Sequence, residues 1–326
     1  MPPLKADAGP LVAVTGATGF VGRHLVRELA ACGMRVRILT RRDPVNSWWR
    51  DLALEVVPGS LNDASALRQL VAGTDAVVHG AGLIKAVDTA QFMAVNRDAT
   101  RALAEATRRG APAAHFLHIS SLAAREPTLS GYAASKHAGE HAVLEVLGAG
   151  ATVLRPPAVY GPGDAETLIF FRVASHRRVW VPGSTAARTA LIHVSDLVAA
   201  IGKLIRAVPS GRVHAISDER SSGYSWHEIL ATAAQAVGNR APKFRSLPRM
   251  ALAAAALGGD LGRRFGYANM LTSEKLRELM HPNWTLAAEE QLTGVDWRPR
   301  YSLQSGFGTT VAWYRQAGWL ADMPAQ

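Results

Sequence analysis

The 326-residue chain reads as an α/β protein: a doubly wound parallel sheet with a smaller C-terminal α/β subdomain. Three observations predict this. Short apolar strands alternate with helical stretches through the first half, the pattern of βαβ units whose sheet is covered on both faces. Crossovers between such strands are right-handed, which winds the sheet outward in two directions. Beyond about Gly161 the alternation loosens, and alanine-rich and amphipathic helical stretches take over. The expected division is a core over 1–160, to which the stretch around 190–220 returns, and a subdomain drawn mainly from 161–326 that walls one side of a cleft.

The elements follow in order. "LVAVT" (11–15) is a buried strand and "FVGRHLVRELAAC" (20–32) a helix, with the lone Cys32 expected in the core. "VRILT" and "LEVVPG" are strands, and "DASALRQLVAG" a helix. "DAVVHGAG" is a strand running into a glycine turn. "QFMAVNRDATRALAEATRRG" (91–110) reads as one long helix and "HFLHISS" as a strand. "YAASKHAGEHAVLEVLGAG" is a helix ending on glycine, and "ATVLRP" a strand. In the second half, "ETLIFFRVASHRR", "SWHEILATAAQAVG", "PRMALAAAALGGDLGRRFG" and "TSEKLRELM" are helical. "VHAIS" is a short strand, and the tail ends on an amphipathic helix.

Composition excludes several classes. A single cysteine cannot form an internal disulfide, which fits a reducing compartment. The apolar run Met250–Gly259 is too short to span a bilayer. "MPPLKADAGP" lacks the apolar stretch of a signal peptide, so the expectation is a cytoplasmic protein. The formal net charge is +10. The arginines are scattered, with no basic stripe interleaved with aromatics, so no nucleic-acid partner is expected. The charge suits a phosphorylated cofactor and a peripheral contact with anionic membrane.

"TGATGFVG" sets Gly16, Gly19 and Gly22 between a strand and a helix. The first can make a sharp turn. The second lets backbone approach a pyrophosphate, and the third lets the helix pack close to the strand. The phosphate then meets the positive helix N-terminus. The spacing is neither GxGxxG nor a P-loop. "VRILT" ends in Thr40, where an acid would hold the ribose hydroxyls of NAD, and Arg41 and Arg42 follow. Arginine instead accommodates a 2′-phosphate, which favours NADP(H) over NAD(H).

"YAASK" sets Tyr132 and Lys136 four apart on one helix face. A phenol is a weak acid near neutrality, and a nearby ammonium lowers its pKa. Ser120 and Ser121 end the strand upstream, where a hydroxyl can hold a substrate oxygen. Asn96 lies in the preceding helix. Two other strings have weaker claims. "HAGEH" (137–141) matches an inverted zinc-protease motif but shares a helix with Tyr132, so no metal is expected. "HVSD" lacks the strained serine elbow of a hydrolase, and His193 is expected to pack beneath the cleft.

With "TGATGFVG", "VVHGAG", Asn96, "ISS", "YAASK", "LRPPAVYGPGD" and "HVSD" in order over roughly residues 10–200, the chain resembles the short-chain dehydrogenase/reductase superfamily, in its extended epimerase/dehydratase branch. The resemblance implies a Rossmann fold in which Tyr132 is the acid/base. Lys136 lowers its pKa and binds the nicotinamide ribose, Ser121 orients the substrate oxygen with Ser120 as the alternative, and Asn96 holds a water in the proton relay. It also implies cofactor contacts at Gly16, Thr18, Gly19, Phe20, Val21, Gly22, Arg41, Arg42, Ser60, Leu61, Gly80, Ala81, Gly82, Tyr132, Lys136, Pro156 and Val159. A homodimer is common among such proteins. Ser60 and Leu61 stand where the family often has an Asp before a Leu for the adenine. Thr189, with Arg188 one residue off, stands where nucleotide-sugar members carry an arginine clamp. The C-terminal half looks like that of the ketone and sterol reductases related to dihydroflavonol reductase and 3β-hydroxysteroid dehydrogenase. The expected activity is NADP(H)-dependent reduction of a ketone, or oxidation of a secondary alcohol, on a hydrophobic sterol-, flavonoid- or sphingoid-like molecule. A nucleotide-sugar epimerase or dehydratase is the alternative, and a non-catalytic NADPH sensor or scaffold a third reading.

Overall fold

The structure, a computed structural model, describes residues 9–41, 48–181, 187–247, 249–264 and 272–321. Arg42 and "YANML" (267–271) lie outside the described residues. In chain order, β1 (Leu11–Thr15), α1 (Phe20–Ala31), β2 (Arg35–Thr40), β3 (Leu54–Pro58), α2 (Ala64–Val71), β4 (Ala76–His79), α3 (Thr89–Met93), α4 (Ala99–Gly110), β5 (His115–Ile119), α5 (Gly131–Leu147) and β6 (Ala151–Arg155) build the first half. Then follow β7 (Ala158–Tyr160), α6 (Leu168–Ala174), β8 (Arg178–Val181), β9 (Arg188–Thr189), β10 (Leu191–His193), α7 (Val194–Leu204), β11 (Val213–Ala215), α8 (Trp226–Val237), β12 (Lys243–Ser246), α9 (Arg249–Arg264), α10 (Ser273–Met280), β13 (Asn283–Trp284) and α11 (Leu303–Gln316).

Seven strands form the central sheet in the order β11-β6-β5-β4-β1-β2-β3, every neighbour parallel. This is the doubly wound sheet the strand–helix alternation predicts. The winding reverses between β1 and β4, where the following loops diverge and leave a crevice at the carboxyl ends of the strands. Alternate residues of β1 supply the two faces. Val12 and Val14 pack with Leu25 and Leu29 of α1 and Leu197 and Ile201 of α7. Ala13 packs on the other side with Leu67 and Leu70 of α2, Leu103 of α4 and Val143 of α5. A third cluster, with Phe171, Trp226, Ile229, Phe307 and Tyr314, joins α6, α8 and α11 beside the sheet.

The structure corrects several local expectations. Cys32 is exposed rather than core. The helix stops at Ala31 and the chain turns through Gly33 at φ +77°, so Cys32 leaves the apolar face. The stretch 91–110 is not one regular helix, because Ala94–Asp98 is a π turn between α3 and α4. Helix α7 and the two-stranded pairs β7–β10, β8–β12 and β9–β13 had no counterpart in the sequence reading. Their strands are two to four residues long, too short for a period of two to stand out.

Helix α7 ties the C-terminal segment to the sheet. Its Asp196 is fully buried and accepts from the backbone N–H of Arg300 and Tyr301, each at 3.0 Å. His193 caps the same helix, accepting from Ser195 N–H, and stacks on Tyr301 with ring centroids 3.9 Å apart. "HVSD" is therefore a structural clasp. Asp196→Ala is expected to lower unfolding stability by about 2–3 kcal/mol, because it strands two backbone donors. Urea titration checks this as a lower midpoint at unchanged slope.

Candidate active site

The first loop of the crevice is built by glycines. Gly16 has φ +74°, and a Cβ there would lie 2.6 Å from Ala81 N, so two backbone turns meet where no side chain fits. At Gly22 a Cβ would lie 2.1 Å from Gly16 O, so the start of α1 packs directly on the turn. Gly19 N–H donates to Gly16 O, and Gly19 begins α1 with no side-chain cap and no acid in the first turn. The positive end of the helix is left for an anion. Thr18 and Gly19 are exposed beside it, and Phe20 and Val21 are half-buried. Beneath the second loop, Thr15 Oγ1 accepts from Ala81 N–H and hydrogen-bonds His79, whose other ring nitrogen meets Thr100. Burial brings the His79 pKa down to about 3, so the ring is a neutral strut.

One cleft runs from these glycines to the Tyr–Lys pair. Its walls include Val21, Gly22, Gly80, Gly82, Tyr132 and Lys136. Lys136 is 5% exposed and its Nζ donates to Ile119 O at 2.8 Å. Burial lowers its pKa to about 8, opposed by the Glu140 charge. Tyr132 is pushed up to about 12, first by burial and also by the Glu278 carboxylate, while the Ser121 hydroxyl beside the phenol works the other way. The lowering of the phenol by Lys136 that the sequence leads one to expect is not found: burial outweighs it, Lys136 is not among the groups that act on the phenol, and Tyr132 is neutral across the physiological range.

The two serines separate cleanly. Ser120 is buried and its hydroxyl donates to Glu140, which also holds Arg155 through bonds of 2.8 and 2.6 Å. Ser121 caps a short turn, accepting from Ala123 N–H, and faces the phenol. Asn96 sits in the π turn, fully buried. Its Nδ2 donates to Leu83 O and Ser135 Oγ, and its Oδ1 accepts from Leu83 N–H. Asn96 thus anchors the loop after Gly82 to α5. Gly139 explains the π turn, since a Cβ there would lie 2.2 Å from Asn96 O.

The remaining candidates spread around the crevice. Arg41 is exposed at the end of β2. Ser60 Oγ accepts from Asn62 N–H and Leu61 packs toward α2, both away from the Tyr–Lys end. Pro156 is buried and its carbonyl accepts from Leu122 N–H; Val159 packs under the sheet. In "HAGEH" the two histidines meet but the glutamate points away from them. His137 Nδ1 bonds Ala124 O, His141 meets His137, and Glu140 turns inward to Arg155. No group of three potential metal ligands occurs among the described residues.

Sequence reasoning missed the contribution of α10. Ser130, the N-cap of α5, donates to the buried Glu278, and Gly131 N–H donates to Glu274. Lys275 pairs with Glu278 at 2.6 Å and lies 5.8 Å from the centre of the Tyr132 ring. A second cleft between α10 and the core is lined by Ile84, Phe92, Tyr132, Lys275 and Glu278. The four-residue spacing of Glu274 and Glu278 puts both on one helix face. Nothing local says which helix that face meets.

Two outcomes are expected. Ser120→Ala, which leaves the buried Glu140 carboxylate short of a donor, costs stability by about 1–3 kcal/mol; Ser121→Ala leaves the melting temperature unchanged and lowers turnover. Thermal melts beside steady-state rates separate the two. Lys136→Met removes an unfavourably buried ammonium. Between pH 8 and about 10.4 the unfolded wild type binds more protons than the folded, so its stability rises with pH. The variant lacks that slope in denaturation curves taken across the window.

Residues 12–216 match the model of the NAD dependent epimerase/dehydratase family. The chain is 46% identical over 318 residues to ceramide reductase of Caulobacter vibrioides, covering 97% of this chain and 98% of that one. It is 27% identical to sterol demethylase protein B of Methylococcus capsulatus, covering 94% and 99%. Among solved structures, the Bordetella bronchiseptica enzyme WbmH in complex with NAD+ superposes with a TM-score of 0.69 at 20% identity, covering 95% and 99%, a likeness of fold. With the seven-stranded sheet, the glycine turn and the Tyr132–Lys136 pair, these findings make the chain a member of the NAD-dependent epimerase/dehydratase family and an NAD(P)-dependent oxidoreductase.

Proposed function

We propose that this protein is an NADP(H)-dependent reductase of a ketone on a ceramide-type lipid. The observation that carries the substrate class is the 46% identity, along nearly the whole of both chains, to a protein named ceramide reductase. Such a lipid has a secondary alcohol beside its amide-bearing carbon, and the matching ketone is the group a hydride donor reduces. The residues present fit a dinucleotide: two glycine turns in close approach, an uncapped helix N-terminus, and an exposed Arg41 for a 2′-phosphate. When bound, the nicotinamide supplies the hydride that goes to the carbonyl carbon.

The protein's own groups do the rest. Tyr132 donates its phenolic proton to the carbonyl oxygen as that oxygen gains charge, and the ketone becomes a secondary alcohol. Lys136, in the same cleft, would hold the ribose hydroxyls, and its ammonium would favour the phenolate left behind. Ser121 holds the carbonyl oxygen in line with the phenol. The cleft under α10, of about 30 Å³, is apolar at Ile84 and Phe92 and polar at Lys275 and Glu278, the two characters that a lipid's chain and polar head would meet at its mouth. The nucleotide-sugar alternative needs free cationic clamps. Arg188 is instead paired with Glu228 at 2.6 Å, and Arg220 meets the same carboxylate at 2.9 Å.

Fluorescence titration is expected to give tighter binding of NADPH than NADH, a preference lost in Arg41→Ala. Tyr132→Phe is expected to cut turnover of a 3-oxo sphingoid amide by about 10²–10⁴ with NADPH affinity retained. Reduction of sugar nucleotides in place of the lipid ketone would overturn the reading.

A further inference from the structure

Helix α9 carries apolar residues on two opposite faces. Leu252 and Ala256 are buried, and Asp260 accepts from Ser273 N–H, so this side packs against α10. The other side presents Met250, Ala254, Leu257 and Leu261, one stripe at helical spacing. Met250 is 85% exposed, Leu257 65% and Leu261 56%. The stripe runs about 16 Å along the helix. Single exposed apolar side chains are ordinary; a continuous stripe marks a contact surface.

The strand pair that leads into this helix supplies charge. In the register of β8 and β12, Lys243 lies opposite Arg178 and Arg245 opposite Trp180. Both cations of β12, Arg178 and the indole of Trp180 are exposed, and among the described residues none of the three cations is ion-paired. Unpaired cations on a strand that ends three residues before a helix with an apolar stripe, with an exposed tryptophan on the partner strand, are the chemistry of a segment lying in the headgroup region of an anionic bilayer. No described helix is long and apolar enough to cross a membrane, so the contact is peripheral.

We propose that the outer face of α9, with the β8–β12 pair, docks on an anionic lipid bilayer and sets the cleft under α10 beside the membrane. The benefit of this placement rests on the lipid substrate proposed above; the surface itself does not. An insoluble substrate reaches an enzyme at a bilayer by lateral movement, and α9 bears directly on the helix that covers the cleft.

The test is co-sedimentation of the full-length protein with vesicles of phosphatidylcholine alone or with about one-third phosphatidylglycerol. Binding to the anionic vesicles only, falling as salt rises, is expected. Leu257→Glu and Leu261→Glu are each expected to weaken it about tenfold, and Lys243→Glu with Arg245→Glu to abolish the preference for anionic lipid. Leu257→Gln repeats the test without added charge. Thermal melts and reduction of a short-chain, water-soluble ketone report that each variant is folded. Equal vesicle binding by wild type and the leucine variants overturns the proposal. So does a concentration-dependent dimer that Leu257→Glu dissociates, which would make the occupant a second copy. Reduction of lipid ketone in detergent without vesicle binding overturns the docking surface alone. Vesicle binding with no reduction of lipid ketone supports the surface and overturns the proposed substrate.

Discussion

The buried pair of Glu140 and Arg155 fixes the helix on which the chemistry depends. Glu140 is one turn beyond Lys136 on α5, and Arg155 ends β6. Taking both charges out of water is costly, and it is offset here by two short bonds between them and a third from Ser120. The pair locks the rotation of α5 against the sheet. One turn back, that rotation delivers Lys136 Nζ to the carbonyl of Ile119. A further turn back it delivers Tyr132 to the cleft. Gly139 lets the same helix press against the π turn at Asn96, and Asn96 holds the Leu83 loop. Tyr132, Lys136, the end of β5 and one lip of the crevice are therefore joined by one set of contacts.

Burial then sets the chemistry of the pair. It favours neutral forms, raising the phenol of Tyr132 and lowering the ammonium of Lys136 toward neutrality. Glu278 adds a carboxylate from the other side of the cleft, so α10 shapes the acidity of the phenol as well as the space over it.

The C-terminal segments are held to the sheet through backbone-directed contacts as well as apolar packing. Asp196 holds the 300–301 segment, and Arg125 reaches the carbonyls of Asn283 and Thr285. Glu274 and Glu278 hold the start of α5. Several of these partners are more than 100 residues apart in sequence. The cleft under α10 exists only when both parts are assembled.

The fold and the two ends of the crevice were legible because their signals are local. Strands of five or six apolar residues, helices with a repeating apolar face, a glycine turn between them, and Tyr132 four residues before Lys136 each lie within a short window. Conformation there is dictated by sterics and periodicity. What the sequence could not decide depended on distant partners. Which serine is free is settled by Glu140, twenty residues on. Cys32 is exposed because the helix stops one residue early. The π turn at Asn96 answers to a glycine on another helix. The role of α10 follows from its meeting with Ser130 and Gly131. Such pairings arise only when the chain closes long loops, and no periodicity within a window encodes which surfaces then meet.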